Sequence, residues 1–240
     1  MCLSICWQIL KHSMVSKMMR RNVFITGGTG YIGQRLIPLL LQRGHRVRAL
    51  VRKGSEHKLP HDCSPVVGNA LDKSTFANSV KPADTFVQLV GVSHTSPSKV
   101  NEFRTVDLVS VRASVQAASG SGVDHFVYIS VAHPAPTMKA YIEVRREGES
   151  MIRGSGMNAT FIRPWYVLGP GHRWPYVLLP AYWLCELLPP TRDGARRLGL
   201  VTLRQMVNSI IDAVENPAKG TRILGVPEIR RARLVRINDL

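Results

Sequence analysis

Apolar and polar positions along the chain alternate between short β-type runs and longer stretches with helical spacing. Short apolar runs predict strands at 23–26, 45–52, 66–72, 84–91, 125–130 and 159–164. Apolar residues at helical spacing predict helices after the first strand and over 99–118, 141–154 and 201–214. Because a helix between two strands favours their parallel pairing, this order predicts an α/β fold with a doubly wound parallel sheet.

A glycine-rich turn joins the first predicted strand to the first helix. Its glycines, Gly27, Gly30 and Gly33, have the spacing G-x-x-G-x-x-G. Glycine permits a tight turn, close approach of the backbone to a pyrophosphate and close packing of the helix, whose N-terminus attracts phosphates. The pattern therefore predicts a dinucleotide site; the alternative is a glycine-rich loop that binds no ligand. The predicted binding residues are Thr26, Gly27, Thr29, Gly30, Tyr31, Ile32 and Gly33.

The end of the second predicted strand indicates which dinucleotide is bound. NAD-specific folds place a carboxylate there for the ribose 2′-hydroxyl, whereas this chain has Arg52 and Lys53. A guanidinium binds a 2′-phosphate through charge-assisted hydrogen bonds. We therefore predict NADP rather than NAD, the alternative being that Arg52 is a solvated residue at a strand end. At the end of the fourth strand, Val90 and Gly91 suit close approach of the same ligand.

Composition and charge limit the classes of function. The chain has 240 residues with 45% hydrophobic composition, which suffices for one sizeable core and a small second lobe. Its formal net charge of +16 comes from dispersed basic residues. A surface that attracts an anionic cofactor or substrate is therefore favoured over nucleic-acid binding. The four scattered cysteines predict neither a disulfide framework nor a metal site, and they fit a reducing cytoplasm.

The sequence predicts three regions along the chain. Residues 1–20 form a disordered leader or reflect a mis-assigned start, although their basic, amphipathic pattern also allows organelle targeting. Residues 21–170 form the dinucleotide-binding domain, and residues 171–240 form a small C-terminal lobe. The uncharged segment 174–185 is too short to span a bilayer. It either belongs to the core of that lobe or covers an apolar substrate or a membrane surface.

Several motifs together resemble the short-chain dehydrogenase/reductase superfamily. They are the glycine turn after Thr26, the strand end at Ser130, Tyr141 followed four residues later by a basic residue, and the Arg163-Pro164 strand end. The chain is most similar to the atypical and extended branches, which include NAD(P)-dependent epimerases and dehydratases, over about residues 22–225. The resemblance implies a Rossmann-type fold for this region.

The resemblance also implies roles for individual residues. Tyr141 falls on the general acid/base of the superfamily, and Ser130 falls on the serine that holds the substrate oxygen. Arg145 occupies the position of a lysine that binds the nicotinamide ribose and lowers the pKa of the tyrosine. Asn69, followed by Ala70, stands where members commonly carry an aspartate that contacts adenine.

Arg145 leaves two functions open. A tyrosine, with an ordinary pKa of about 10, needs a nearby cation to act as a base at neutral pH, and a guanidinium places its donors differently from an ammonium. The first hypothesis is an NADP-preferring oxidoreductase or epimerase that acts on a rather apolar carbonyl or hydroxyl substrate. The second is a non-catalytic NAD(P)(H)-binding sensor or accessory subunit.

Overall fold

A parallel sheet of seven strands forms the centre of the protein, with the strand order β3-β2-β1-β4-β5-β6-β9. The computed structural model describes residues 20–93, 95–171 and 179–232. Every strand pair in this sheet is parallel, so the predicted doubly wound α/β fold is confirmed. The strands are β1 (Asn22–Thr26), β2 (Arg46–Val51), β3 (Ser64–Val67), β4 (Thr85–Gln88), β5 (His125–Ile129), β6 (Asn158–Ile162), β7 (Tyr166–Leu168), β8 (Leu200–Thr202) and β9 (Thr221–Leu224).

Helices lie between most successive strands, and those that the sequence predicts lie close to their predicted ranges. Helix α2 begins as Val100–Glu102, continues through a π-helical stretch, Phe103–Leu108, and ends as Val109–Ser119. The hydrophobic pattern did not predict this π-helical stretch. The other helices are α1 (Gly33–Gln42), α3 (Lys139–Gly154), α4 (Leu179–Leu187), α5 (Pro189–Arg197), α6 (Leu203–Glu215) and α7 (Val226–Arg231).

The sheet has a core on each face because successive side chains of a strand point to opposite sides. On one face, Ile25 of β1 packs with Leu36 of α1 and Ile210 of α6. On the other face, Phe24 and Phe86 pack with tilted rings whose centroids lie 5.2 Å apart, among residues of α2 and α3. Burial on both faces explains why the strands appear in the sequence as almost continuous apolar runs.

The region after residue 170 contributes to the main sheet as well as to a smaller unit. Strand β9 pairs with β6, and α6 packs into the same core as β1. Strands β7 and β8 form a separate two-stranded parallel sheet. The predicted leader and residues 174–178 lie outside the described residues. In the described ranges, the structure contains neither a helix long and apolar enough to cross a membrane nor a cluster of side chains suited to a metal ion.

Candidate functional site

The strand order creates a crevice where the carboxyl ends of β1 and β4 lie side by side. From β1, the chain moves outward to β2 and β3 and then returns to β4 on the opposite side of β1. Residues Thr26 and Gln88 pair at these two ends, and the amide of Leu89 donates to the carbonyl of Thr26 over 3.2 Å. Ligands of open α/β sheets bind at such a switch in strand order. The predicted glycine turn lies at this position.

The glycines of the turn are required by close contacts between backbone segments. Gly27 has φ +74°, and a methyl group on it would lie 3.1 Å from the amide nitrogen of Val90. Gly30 donates to the carbonyl of Gly27 over 3.0 Å and closes the turn. A methyl group on Gly33 would lie 2.6 Å from the same carbonyl oxygen, so only glycine fits there.

The turn and the N-terminus of α1 have the chemistry that a pyrophosphate requires. Within the described chain, no side chain caps this helix, and Ile32 stands at its N-cap. The guanidinium of Arg35, in the first turn, lies 4.7 Å from the ring centroid of Tyr31. The helix dipole and the first-turn N–H groups attract anions. A cradle kept open by glycines, an uncapped helix and a nearby cation therefore fit a dinucleotide phosphate.

Thr26 and Thr29 differ in their exposure to this cradle. Thr26 is completely buried, and its hydroxyl donates to Oε1 of Gln88, so its side chain faces the sheet interior. Thr29 is partly exposed at the turn. The side chain of Thr26 therefore supports the end of β1, while the crevice is formed by the turn that follows it.

The other predicted cofactor residues lie at the same edge of the sheet. Arg52 is exposed directly after β2. The amide of Gly68 donates to the carbonyl of Val51 over 2.9 Å and keeps the ends of β3 and β2 together. Asn69 is exposed, its Oδ1 accepts from the amide of Leu71 over 3.0 Å, and Ala70 beside it is partly buried. The carboxyl ends of β1, β2, β3 and β4 thus place the predicted cofactor contacts other than Arg145 along one edge.

Arg145 lies behind this edge in a buried ion pair with Asp107. Its Nη2 lies 3.2 Å from Oδ1 of Asp107, and its Nη1 donates to the carbonyl of Ile129 over 2.9 Å. Burial raises the pKa of Asp107, although Arg145 and a backbone amide oppose this effect. Burial acts to lower the pKa of Arg145, but Tyr141, Tyr128 and Asp107 outweigh it and leave that pKa above its usual value. The guanidinium therefore stays charged.

Gly91 and Tyr128 complete the surroundings of Arg145. A methyl group on Gly91 would collide with Nη2 of Arg145 and lie 2.9 Å from Oδ1 of Asp107. Gly91 is therefore required so that Arg145 and Asp107 can lie against the backbone here, whether or not a ligand also approaches it. The hydroxyl of Tyr128 accepts from Nη1 of Arg145 over 3.4 Å. Burial raises the pKa of Tyr128.

Tyr141 lies one helical turn before Arg145 on α3, as their spacing predicts. Its ring packs against Phe103 with the centroids 5.0 Å apart, and the guanidinium carbon of Arg145 lies 5.0 Å from the ring centroid of Tyr141. Tyr141 is partly exposed, whereas Arg145 is 5% exposed. The structure therefore brings the predicted tyrosine and cation together, with the cation held by protein groups behind the tyrosine.

The hydroxyl of Ser130 points to a different partner. It donates to Oε1 of Glu149 over 2.6 Å, and Ser130 is 2% exposed. Arg163 donates to both oxygens of the same carboxylate, over 2.8 and 2.5 Å. Burial acts to raise the pKa of Glu149, but the hydrogen bonds from Arg163 and Ser130 outweigh it and lower that pKa. Sequence reasoning did not identify Glu149, although it follows Arg145 by four residues on the inward face of α3.

The chain belongs to the NAD(P)H-binding family, whose model matches residues 27–176. Solved structures that share its fold include a short-chain dehydrogenase/reductase superfamily protein and enzymes in complex with NAD. The resemblance inferred from its motifs is confirmed.

Two relatives and one solved structure illustrate this membership. The chain is 30% identical over 216 residues to ceramide reductase of Caulobacter vibrioides (strain NA1000 / CB15N), covering 88% of this chain and 66% of that protein. It is 22% identical over 170 residues to 4-hydroxy-2-methyl-3-oxo-4-farnesyl-3,4-dihydroquinoline-1-oxide ketoreductase of Stigmatella aurantiaca, covering 62% of this chain and 51% of that protein. The chain thus spans about half to two thirds of these relatives.

The solved structure is that of the Bordetella bronchiseptica enzyme WbmH in complex with NAD+. It is 22% identical and superposes with a TM-score of 0.64, covering 88% of this chain and 80% of that chain. This likeness establishes the fold.

Proposed function

We propose that the protein is an NADPH-preferring oxidoreductase that reduces a carbonyl group on a large, rather apolar substrate. The observation that carries this proposal is the placement of Tyr141 on α3, partly exposed and backed by the permanently charged Arg145. The same arginine reaches the ends of β4 and β5, next to the strand that leads into the glycine turn. These contacts support Tyr141 as the proton donor at the edge of the sheet where the glycine turn lies.

Each residue group has a separate task in this proposal. The glycine turn and the N-terminus of α1 bind the pyrophosphate, and Arg52 binds the 2′-phosphate that distinguishes NADP from NAD. Bound NADPH would supply the hydride. The hydroxyl of Tyr141 donates the proton to the developing alkoxide, and Arg145 stabilises the phenolate left behind. Arg145 is a positioning residue here, because Asp107 and the carbonyl of Ile129 fix it behind the tyrosine.

Ser130 can orient the substrate only after its hydrogen bond to Glu149 changes. Its hydroxyl must turn from Glu149 towards the crevice before it can orient a substrate oxygen. Such a turn would remove one donor from a buried carboxylate while leaving both contacts from Arg163 in place. Substrate orientation by Ser130 therefore requires rearrangement of the Glu149 network.

The apolar substrate class is supported by two observations. The relatives are named for ceramide and for a farnesylated quinoline oxide, both of which carry long hydrocarbon groups. The segment 174–185, which follows β7 in the sequence, carries no charged residue. Such a composition suits a hydrocarbon substituent better than a sugar nucleotide.

The experiment measures cofactor binding and hydride transfer separately. NADPH and NADH binding are followed by nucleotide fluorescence, and turnover is followed by NADPH consumption with long-chain ketones. Tyr141→Phe should lower kcat about 100-fold or more while leaving the dissociation constant of NADPH unchanged. Either NADPH binding without turnover of any carbonyl, or turnover that Tyr141→Phe leaves unchanged, would refute the proposal.

A second function is favoured by one specific observation. Arg145 replaces the lysine that the superfamily uses, and its donors are directed to Asp107, Ile129 and Tyr128. If Arg145 only stabilises the packing of the fold, the protein would bind the dinucleotide as a sensor or accessory subunit. The same measurements distinguish this function, because it requires tight NADPH binding and no turnover.

A further inference from the structure

Three exposed leucines stand together where α4 meets α5. Leu184, Leu187 and Leu188 are 60, 72 and 47% exposed, and we call them the leucine edge. The other strongly exposed large apolar residues of the described chain lie on other elements, at Val67, Leu71, Val100 and Ile223. Single exposed apolar residues are normal on a soluble surface, whereas a group of them marks a contact surface.

Arginines of α5 follow the leucine edge along the chain, and one of them contacts the end of α4. The guanidinium of Arg192 folds back onto the end of α4, where Nε donates to the carbonyl of Glu186 over 3.1 Å and Nη2 to that of Leu187 over 3.3 Å. Arg196 and Arg197 are exposed in the last turn of α5. These contacts hold the charged guanidinium of Arg192 at the end of α4, beside the exposed Leu187.

Local acids offset little of this positive charge. Glu186 is already paired with Arg230, whose Nη1 lies 2.9 Å from Oε1 of the glutamate. Helix α5 contains one acidic residue, Asp193, and three arginines, Arg192, Arg196 and Arg197. The whole chain adds a formal net charge of +16, which attracts it to negatively charged surfaces.

We infer that the leucine edge docks onto an anionic lipid surface. Leu184, Leu187 and Leu188 enter the apolar layer, and Arg192 and Arg196 contact headgroup phosphates. Exposed apolar residues flanked by arginines are the combination that peripheral membrane contacts require. The part of α4 before Glu186, residues 179–185, contains no charged residue. A second copy of the chain is a poorer occupant, because two such cationic surfaces repel each other.

The test uses the full chain without any cofactor, so its outcome is independent of the proposed reductase activity. Binding is measured by co-sedimentation with vesicles of phosphatidylcholine alone and of phosphatidylcholine mixed with phosphatidylglycerol. We expect binding to the mixed vesicles that weakens in high salt. Leu187→Glu combined with Leu188→Glu should weaken it about tenfold or more. Arg196→Glu should also weaken it.

Two control variants match these changes elsewhere on the surface. Ile223→Glu alters an exposed apolar residue on β9, and Arg46→Glu makes the same charge reversal on β2. Circular dichroism verifies that each variant is folded. Three results would each overturn the inference: no binding to mixed vesicles, equal binding to both vesicle types, or equal losses in the control and edge variants. A dimer that the leucine substitutions dissociate, without vesicle binding, would instead identify a second copy as the occupant.

Discussion

Asp107 and Arg145 form an ion pair that is closed to solvent, with Oδ1 and Nη2 3.2 Å apart and side chains 0 and 6% exposed. The pair joins the π-helical stretch of α2 to α3. Its carboxylate also accepts from the amide of Val92 over 2.9 Å, just beyond β4. The ion pair therefore connects α2, α3 and the segment just beyond β4 around the candidate active site.

Removing one member of this pair should strongly destabilise the fold. Arg145→Met leaves Asp107 buried without its cation and should cost about 3–5 kcal/mol of the free energy of unfolding, measured by urea denaturation. Arg153→Met, on the same helix, removes an arginine whose side chain is 41% exposed and should cost about 1 kcal/mol or less. The double variant Asp107→Leu, Arg145→Met should lose less than the sum of the single losses. Full additivity would contradict the coupling.

The glycine turn should not tolerate a methyl group at Gly33. Gly33→Ala places a carbon 2.6 Å from the carbonyl oxygen of Gly27 and should cost about 1–3 kcal/mol, with weaker NADPH binding because the cradle shifts. Gly154→Ala provides the control, since that position on α3 has open space among the described residues. Isothermal titration and thermal unfolding measure the two effects. Unchanged NADPH affinity in Gly33→Ala would exclude the turn as the phosphate cradle.

Arg52 should decide between the two dinucleotides. Arg52→Ala should weaken NADPH binding about 10-fold to 100-fold, because a charge-assisted hydrogen bond contributes about 1.5–3 kcal/mol. The affinity for NADH should change little. Arg46→Ala, at the opposite end of β2 and also exposed, should leave both affinities unchanged. An equal loss for both nucleotides in Arg52→Ala would refute the preference for NADP.

His125 should make the fold sensitive to moderate acid. Burial, with Arg21 and Arg222 nearby, lowers its pKa from 6.5 to about 4. Between these values the unfolded chain binds the proton and the folded chain does not, so stability decreases as the pH falls. The loss should reach roughly 3 kcal/mol by pH 4, at 1.36 kcal/mol per unit.

The variant His125→Gln isolates this contribution. It lacks the titrating ring, so its free energy of unfolding should depend less on pH between 6.5 and 4 than that of the parent. Glu149, whose pKa is lowered, still contributes to acid sensitivity in both proteins, below the ordinary pKa of a glutamate. Parallel stability curves for the two proteins would show that His125 is not the sensor.

The sequence predicts the fold well because its signals are local. The glycine spacing, the apolar strands and Gly44, which has φ +84° just after α1, each act within a few neighbouring residues. The contacts of Arg145 with Asp107 and of Ser130 with Glu149 span 38 and 19 residues, and they depend on how α2 and α3 pack. Side-chain direction at the site is therefore a property of tertiary packing, which spacing along the chain does not specify.

The π-helical stretch Phe103–Leu108 restricts how many residues this part of α2 can contain. A wider turn accommodates one extra residue relative to an α-helix, and it buries Phe103, Asp107 and Leu108 together. Deleting one residue there would restore a regular helix and rotate the preceding turn by about 100°. Phe103 would then leave the ring of Tyr141. Insertions and deletions in this stretch should consequently be rarer among functional homologues than substitutions.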